Sequence, residues 1–229
     1  MTARDFAVCS LVVALTFPAV AHAQSWSSSD RWGSVDANEF TIRNDVWGST
    51  AGPQTIWASW GNGWVYWGVW ADHSNTGGIK SYPHVARWFG KNTSDIHWLG
   101  SWFGVNVPSA GAYDTSYDIW FNGRATELMI WMNKQGDVGP IGSYQATASV
   151  GGHSFDIYRG SNGSNEVISY LRTSNLYSGN VDIKAIMDDL QNRGWLYNPW
   201  LEEIQCGFEI SSSSAGMVFE MQGFSLWDG

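Results

Sequence analysis

The sequence predicts an all-β fold, a sandwich of two antiparallel sheets with one short α-helix packed on the outside. Three observations predict it. Strand-like runs rich in β-branched and aromatic residues recur at a spacing of roughly 8 to 16 residues. Turn clusters such as Gly151-Gly152 and Ser161-Asn162-Gly163 separate them, as in sandwiches and barrels. A single segment, Ile183, Ile186, Met187 and Leu190, changes to the i, i+3, i+4, i+7 period of an amphipathic helix.

In chain order, the first 23 residues read as a secretion signal. Arg4, the apolar stretch Ala7 to Val20 and the small-residue pattern Ala21-His22-Ala23 precede Gln24, and cleavage is expected after Ala23. A retained anchor is the alternative, but the apolar run falls short of the ~20 residues that span a bilayer. Residues 24–229 are then read as one domain, since no Pro-rich or charged linker divides them and the length suits a single core.

The predicted strands are Glu39 to Val46, Thr55 to Trp60, Trp64 to Trp70, Val85 to Phe89, Trp98 to Val107, Ser116 to Asn122, Glu127 to Met132, Tyr144 to Val150, His153 to Arg159, Glu166 to Leu171, Glu203 to Ser211 and Met217 to Trp227. The helix has Asp182 in its first turn and Gly194 as its stop.

Composition narrows the function. The chain of 229 residues holds 16 Trp, 9 Tyr and 10 Phe, and every Trp lies beyond residue 23. That aromatic content excludes disorder, the lack of long heptads excludes a coiled coil, and tryptophan exceeds what a core needs. The net charge is −9 and stays there once Arg4 and Asp5 leave with the leader. Nucleic acid and anionic membranes want basic patches, so a neutral partner is expected, and the protein is expected to be a monomer. Cys9 departs with the leader, so Cys206 has no intramolecular disulfide partner. No metal-ligand spacing occurs among the remaining His and Cys, and neither metal nor cofactor is expected.

Most carboxylates fall in turns or on the helix surface, but Asp118, Glu127, Asp156, Glu209 and Glu220 are embedded in strand-like runs. Alternation places Glu220 with Val218 and Gln222, and Asp156 with Ser154 and Tyr158, on solvent-side faces. Glu127 differs, because both faces of Glu127-Leu128-Met129-Ile130-Trp131-Met132 are apolar and an unpaired charge there is costly. Either a strand edge opens onto solvent, or the carboxylate lines an aromatic cleft that tunes its pKa. Glu209 shares a face with Gly207 and Ser211, which is expected to leave room for a ligand. Asp118 lies one strand before Glu127, so a hairpin sets the two side by side. Paired carboxylates in an aromatic groove point to glycoside hydrolysis, since sugar rings stack on Trp and their hydroxyls pair with polar groups.

Tyr117-Asp118-Ile119-Trp120-Phe121, the block ELMIWM from Glu127 to Met132 and GDVGPIG from Gly136 to Gly142 closely resemble glycoside hydrolase family 12, secreted endo-β-1,4-glucanases and xyloglucanases. The resemblance extends through Asn44-Asp45-Val46-Trp47-Gly48, Ile79-Lys80-Ser81-Tyr82 and Gly207-Phe208-Glu209 and covers nearly all of residues 24–229. It implies a β-jelly roll with an open concave substrate cleft, and hydrolysis with retention. Glu127 is then the nucleophile, Glu209 the acid/base and Asp118 the acidic residue assisting the nucleophile. Met129 lies beside the nucleophile, Trp47 stacks a glucose with Asn44 as its polar neighbour, and Trp131 is assigned to the sugar on alternation alone.

Two features depart from the family pattern. Gly207-Phe208-Glu209-Ile210-Ser211 stands where many members read Gly-Thr-Glu-Pro-Phe, and the N-terminal disulfide of many members is absent. The expected substrate is a β-1,4-glucan of the cellulose or mixed-linkage type. Xyloglucan is the alternative, a non-catalytic glucan-binding module is the reading from another class, and a xylanase of the related jelly-roll family is the third. A secreted enzyme is expected, extracellular or periplasmic in a Gram-negative source.

Overall fold

A computed structural model describes residues 23–229. The expected leader therefore lies outside the described residues except for Ala23. The strands run in chain order as β1 (Gln24–Ser28), β2 (Ser34–Ala37), β3 (Phe40–Arg43), β4 (Gln54–Gly61), β5 (Trp64–Ala71), β6 (His84–Asn92), β7 (Leu99–Asn106), β8 (Ala112–Phe121), β9 (Thr126–Gln135), β10 (Ser143–Val150), β11 (His153–Ser161), β12 (Glu166–Arg172) and β13 (Ser178–Asp182). The helix α1 (Ile183–Asn192), then β14 (Trp200–Ser212) and β15 (Met217–Asp228), complete the order.

They form a six-stranded sheet, β1-β4-β5-β15-β7-β13, packed on a nine-stranded sheet, β10-β11-β12-β9-β8-β14-β6-β3-β2. The pairing is antiparallel except at β12 and β9, which run parallel. The hairpin β10–β11 intervenes between those two in sequence, and the crossover it makes is what parallel neighbours require.

Three strands depart from the predicted set, and all three are sheet edges: β1 and β13 border the six-stranded sheet and β2 the nine-stranded one. An edge strand buries little, so Gln24-Ser25-Trp26-Ser27-Ser28 and Ser178-Gly179-Asn180-Val181-Asp182 carry no apolar alternation to read. The predicted strand from Glu39 to Val46 shortens to Phe40–Arg43, because Asn38 and Asp45 adopt left-handed φ of 59° and 43° at its ends. Asp182 caps the helix instead of lying in its first turn, its carboxylate accepting from Ala185 N at 2.9 Å. Gly194, at φ 70°, ends it in a Schellman pattern, with Gly194 N donating to Gln191 O and Trp195 N to Leu190 O.

The main core lies between the sheets, where Ile56, Trp67, Val69, Phe103, Tyr117, Ile119, Phe208 and Phe219 are fully buried. A second, smaller cluster of Met129, Trp131, Val138, Val167 and Leu171 lies on the other face of the nine-stranded sheet. Between them, β9 is covered on both sides. That explains why ELMIWM has no polar face: Leu128 and Ile130 point to the core, Met129 and Trp131 to the second cluster.

Part of the tryptophan surplus lies on the outer face of the six-stranded sheet. Trp57 sits opposite Gly68, Trp64 opposite Gly61 and Trp227 opposite Gly100 in the strand registers. In each case a Cβ on the glycine meets the indole at 2.5–2.6 Å. The rings therefore lie down across the neighbouring strand, covering backbone that glycine leaves bare.

Candidate active site

Three central strands bring the carboxylates together. In the β8–β9 ladder Trp120 is opposite Glu127 and Asp118 opposite Met129. In the β8–β14 ladder Asp118 is opposite Gln205 and Asp114 opposite Glu209. All these residues lie on the face turned away from the main core, because strand neighbours two apart share a side. All of them but Asp114 line an open cleft of about 470 Å³, together with Trp131 and Trp47. The hairpin expected between Asp118 and Glu127 is present.

Glu127 is 8 % exposed and accepts a hydrogen bond from Asn165 Nδ2 at 3.1 Å. Burial raises its pKa, while the Asn165 hydrogen bond and the Arg124 charge oppose the rise by favouring the carboxylate. Glu209 is pushed up to about 7, first by burial and also by the Glu127 charge, while the neighbouring Asp114 carboxyl acts in the opposite direction. Asp118 is raised well above the carboxylate range by burial and by the charges of Glu127 and Glu209. The two glutamates thus differ in environment: one is held by a donor and faces a guanidinium, and the other keeps its proton to near neutrality.

Trp47 stands 44 % exposed at the cleft on a clamped loop. Arg31 donates from Nε to Val46 O and from Nη2 to Gly48 O, and Gly48 N donates to Lys80 O. Met129 and Trp131, 4 % and 3 % exposed, form the floor instead of standing into the cleft. Asn44 does not reach it. Fully buried, it donates from Nδ2 to Asp30 O and accepts from Gln54 Nε2 at Oδ1. The left-handed φ of Asp45 breaks the alternation, turning Asn44 inward and placing Asp45 at the cleft wall.

The room expected beside Glu209 at Gly207 is also filled. A Cβ on Gly207 falls 2.1 Å from Pro83 O and 2.7 Å from the His84 Cβ, so the glycine admits the start of β6 and not a ligand. Gly142, at φ 89°, similarly lets the GDVGPIG loop press on Arg159 O. That loop sends Val138 into the second cluster and Ile141 to the cleft.

Four residues escaped the sequence reading. Asn165 sits in a Ser-Asn turn cluster and reaches Glu127 only through the β12–β9 parallel pairing. Arg124 lies in the β8–β9 turn, where Asn122, Gly123 and Arg124 all have positive φ. It stacks 5.0 Å above the Trp120 ring and donates to Glu203. Asp45, raised to about 6 chiefly by burial, was hidden by the broken alternation. Asp114 lies before the strand that the sequence predicts from Ser116, whereas β8 begins at Ala112. The Asn-Gly dipeptide at Asn122-Gly123 was the one available signal, marking the hairpin that presents Arg124. Among the described residues, no group of three or more His, Cys, Asp or Glu is placed to hold a metal ion.

Comparison with known proteins points to one family. A probable xyloglucan-specific endo-beta-1,4-glucanase A of Neosartorya fischeri is 30% identical over 233 residues, covering 95% of this chain and 98% of its own. The xyloglucanase domain of NopAA, a type three effector from Sinorhizobium fredii solved with cellobiose, superposes with a TM-score of 0.83 at 38% identity, over 89% of this chain and 99% of that one. A cellulase derived from the Cel12A of Rhodothermus marinus does so at 0.81 and 28% identity, over 90% and 100%. The family model described as glycosyl hydrolase family 12 matches residues 28–226. It takes in every strand that shapes the cleft, and the chain belongs to that family.

Proposed function

We propose that the protein is a secreted, single-domain, retaining endo-β-1,4-glucanase that cuts internal bonds of soluble glucans by double displacement. The observation that carries this reading is the division between Glu127 and Glu209 in one open cleft. Asn165 and Arg124 favour the carboxylate of Glu127 against the rise that burial causes, while Glu209 holds its proton to about 7.

A glucan chain lies across the cleft with one ring on Trp47. Glu127 attacks the anomeric carbon as the glycosidic C–O bond breaks, and Glu209 gives its proton to the departing oxygen. Glu209, now ionised, takes a proton from water. The resulting hydroxide equivalent attacks the anomeric carbon and releases Glu127 with net retention. While the glycosyl enzyme lasts, the charge on Glu127 is gone, so the pKa of Glu209 falls and it becomes a base when a base is needed. Asp118, neutral beside Glu127, is a donor to the nucleophile. Met129 and Trp131 form the floor under the sugar. The protein works as a monomer without metal or cofactor.

The relatives named as xyloglucan-specific support the second reading, in which the cleft admits branched xyloglucan. Initial rates on carboxymethyl cellulose, mixed-linkage β-glucan and xyloglucan rank the substrates. Glu127→Gln and Glu209→Gln are each expected to abolish reducing-sugar release while β-glucan is still retained in affinity electrophoresis. Undiminished hydrolysis in either variant removes that residue from its role. Loss of binding together with activity in both points to a role in holding glucan and undercuts the catalytic assignment.

A further inference from the structure

Asp114 is a carboxyl group without a role in the reaction as described. It is fully buried on the cleft side of β8, and neither of its carboxylate oxygens has a hydrogen-bond partner among the described residues. Its partner across the β14 ladder is Glu209, and across the β9 ladder Lys134. Lys134 is exposed and directs its Nζ to Val138 O, so it does not pair with Asp114. Along β8, the same face carries Ser116, whose hydroxyl is likewise unpartnered, and then Asp118. Tyr82, packed over this face, gives its hydroxyl to Ser116 O. The charged groups that act on it, Glu209 and Asp118, are both acidic.

A carboxylate in this position has no cation to offset its desolvation, which costs several kcal/mol for a buried ion, and only the nearby Ser116 hydroxyl favours the ionised form. The neutral acid does not carry that penalty. Burial and the Glu209 charge accordingly raise Asp114 well above the carboxylate range, and the Asp118 charge adds to the rise. A neutral carboxylic acid is a hydrogen-bond donor, and the functional group opposite it on the ladder is the acid/base.

We propose that Asp114 is a positioning residue for the acid/base: it stays protonated through the cycle and donates its carboxyl hydrogen to Glu209 whenever Glu209 is ionised. This rests on the assignment of Glu209 as acid/base. In the first step the Glu209 proton goes to the glycosidic oxygen and the new carboxylate accepts the Asp114 O–H. In the second step Glu209 recovers its proton from water, and the Asp114 proton never leaves. Asp114 therefore holds the proton affinity of Glu209 below the value that burial and Glu127 alone would set.

The sign of one shift tests the proposal. Asp114→Asn keeps the size and a donor but replaces the carboxylic acid by a weaker amide. The basic limb of kcat/KM is expected to move to higher pH, by about half a unit or more, and further in Asp114→Ala, which has no donor. A limb that moves to lower pH shows that Asp114 was a charge raising Glu209, and an unmoved limb shows packing alone; either overturns the proposal. Carboxyl 13C NMR of the wild-type enzyme supplies the readout that needs neither a variant nor activity. The Asp114 signal is expected to keep the protonated shift from pH 4 to 8, and an Asp114 signal that titrates with an ordinary carboxylate pKa refutes it. The Glu209 resonance in Asp114→Asn is expected to titrate higher whatever the activity. If instead Glu209→Gln still hydrolyses glucan, the acid/base assignment fails, while this resonance still reports the effect of Asp114 on its neighbour.

Discussion

Replacing Glu209 by Gln should remove activity and, at alkaline pH, make the protein more stable. Burial and the Glu127 charge raise Glu209 from 4.5 to about 7. For a carboxyl group raised in the folded state, the neutral form is the one folding favours. Below pH 4.5 both the folded and unfolded chains carry it protonated, and nothing is lost. Between 4.5 and 7 the unfolded chain ionises while the folded one does not, so stability falls, and above 7 the loss is complete. At about 1.4 kcal/mol per unit the shift corresponds to roughly 3 kcal/mol. Gln has nearly the same shape and no ionised form, so it escapes that loss. Thermal unfolding at pH 4 and pH 8 measures the difference. Wild type and Glu209→Gln should unfold within a degree or two at pH 4, and at pH 8 the variant should be higher by about 6 to 12 °C for a chain of this size. An equal advantage at both values of pH, or none at pH 8, would refute the claim that Glu209 is held neutral by its surroundings.

Other consequences follow from the same geometry. Asn165→Ala removes the hydrogen bond to Glu127, so the nucleophile should ionise at higher pH and the acidic limb of kcat/KM should rise by about one unit; an unchanged limb means that Asn165 does not tune it. Trp47→Ala should raise KM about tenfold with a smaller change in kcat, measured on soluble β-glucan, because a stacking platform contributes mainly to binding. Lys80, 1 % exposed, donates to the carbonyls of Gly77, Gly78 and Ser211 and so ties the loop before it to the strand of the acid/base. Lys80→Met leaves those carbonyls without their donor and should cost at least about 2 kcal/mol in urea unfolding.

How much of this was legible depended on burial. Strands packed on the core announced themselves: β4 alternates buried and half-buried residues along Gln54-Thr55-Ile56-Trp57, and α1 shows its buried stripe of Ile183, Ile186, Met187 and Leu190. The edge strands β1, β2 and β13 did not, since a strand with one free side has little need of apolar residues. Glu127 stood out because its strand is apolar on both faces. Asp114 is equally buried and went unnoticed, since Gly111 and the polar run after it look like a turn until β14 and β9 close over them. Asn44 and Asp45 exchanged roles through one left-handed φ, which a two-residue alternation does not reveal.

By itself, the sequence determined the class of fold, the helix, the net negative charge and the embedding of Glu127 and Glu209 in strand-like runs, because periodicity and composition are local properties of the chain. Only the tertiary structure decided which carboxylates meet and in what state of protonation. Asp114, Asp118, Glu127 and Glu209 come from three strands, two of them more than 70 residues apart in sequence. Their proton affinities arise from burial and from each other's charge, and both exist only after the strands have paired. The tryptophan surplus divides in the same way: its size was plain from composition, but its use, with Trp57, Trp64 and Trp227 covering glycines on the outer face of the six-stranded sheet and Trp47 standing at the cleft, is a matter of which strand lies next to which.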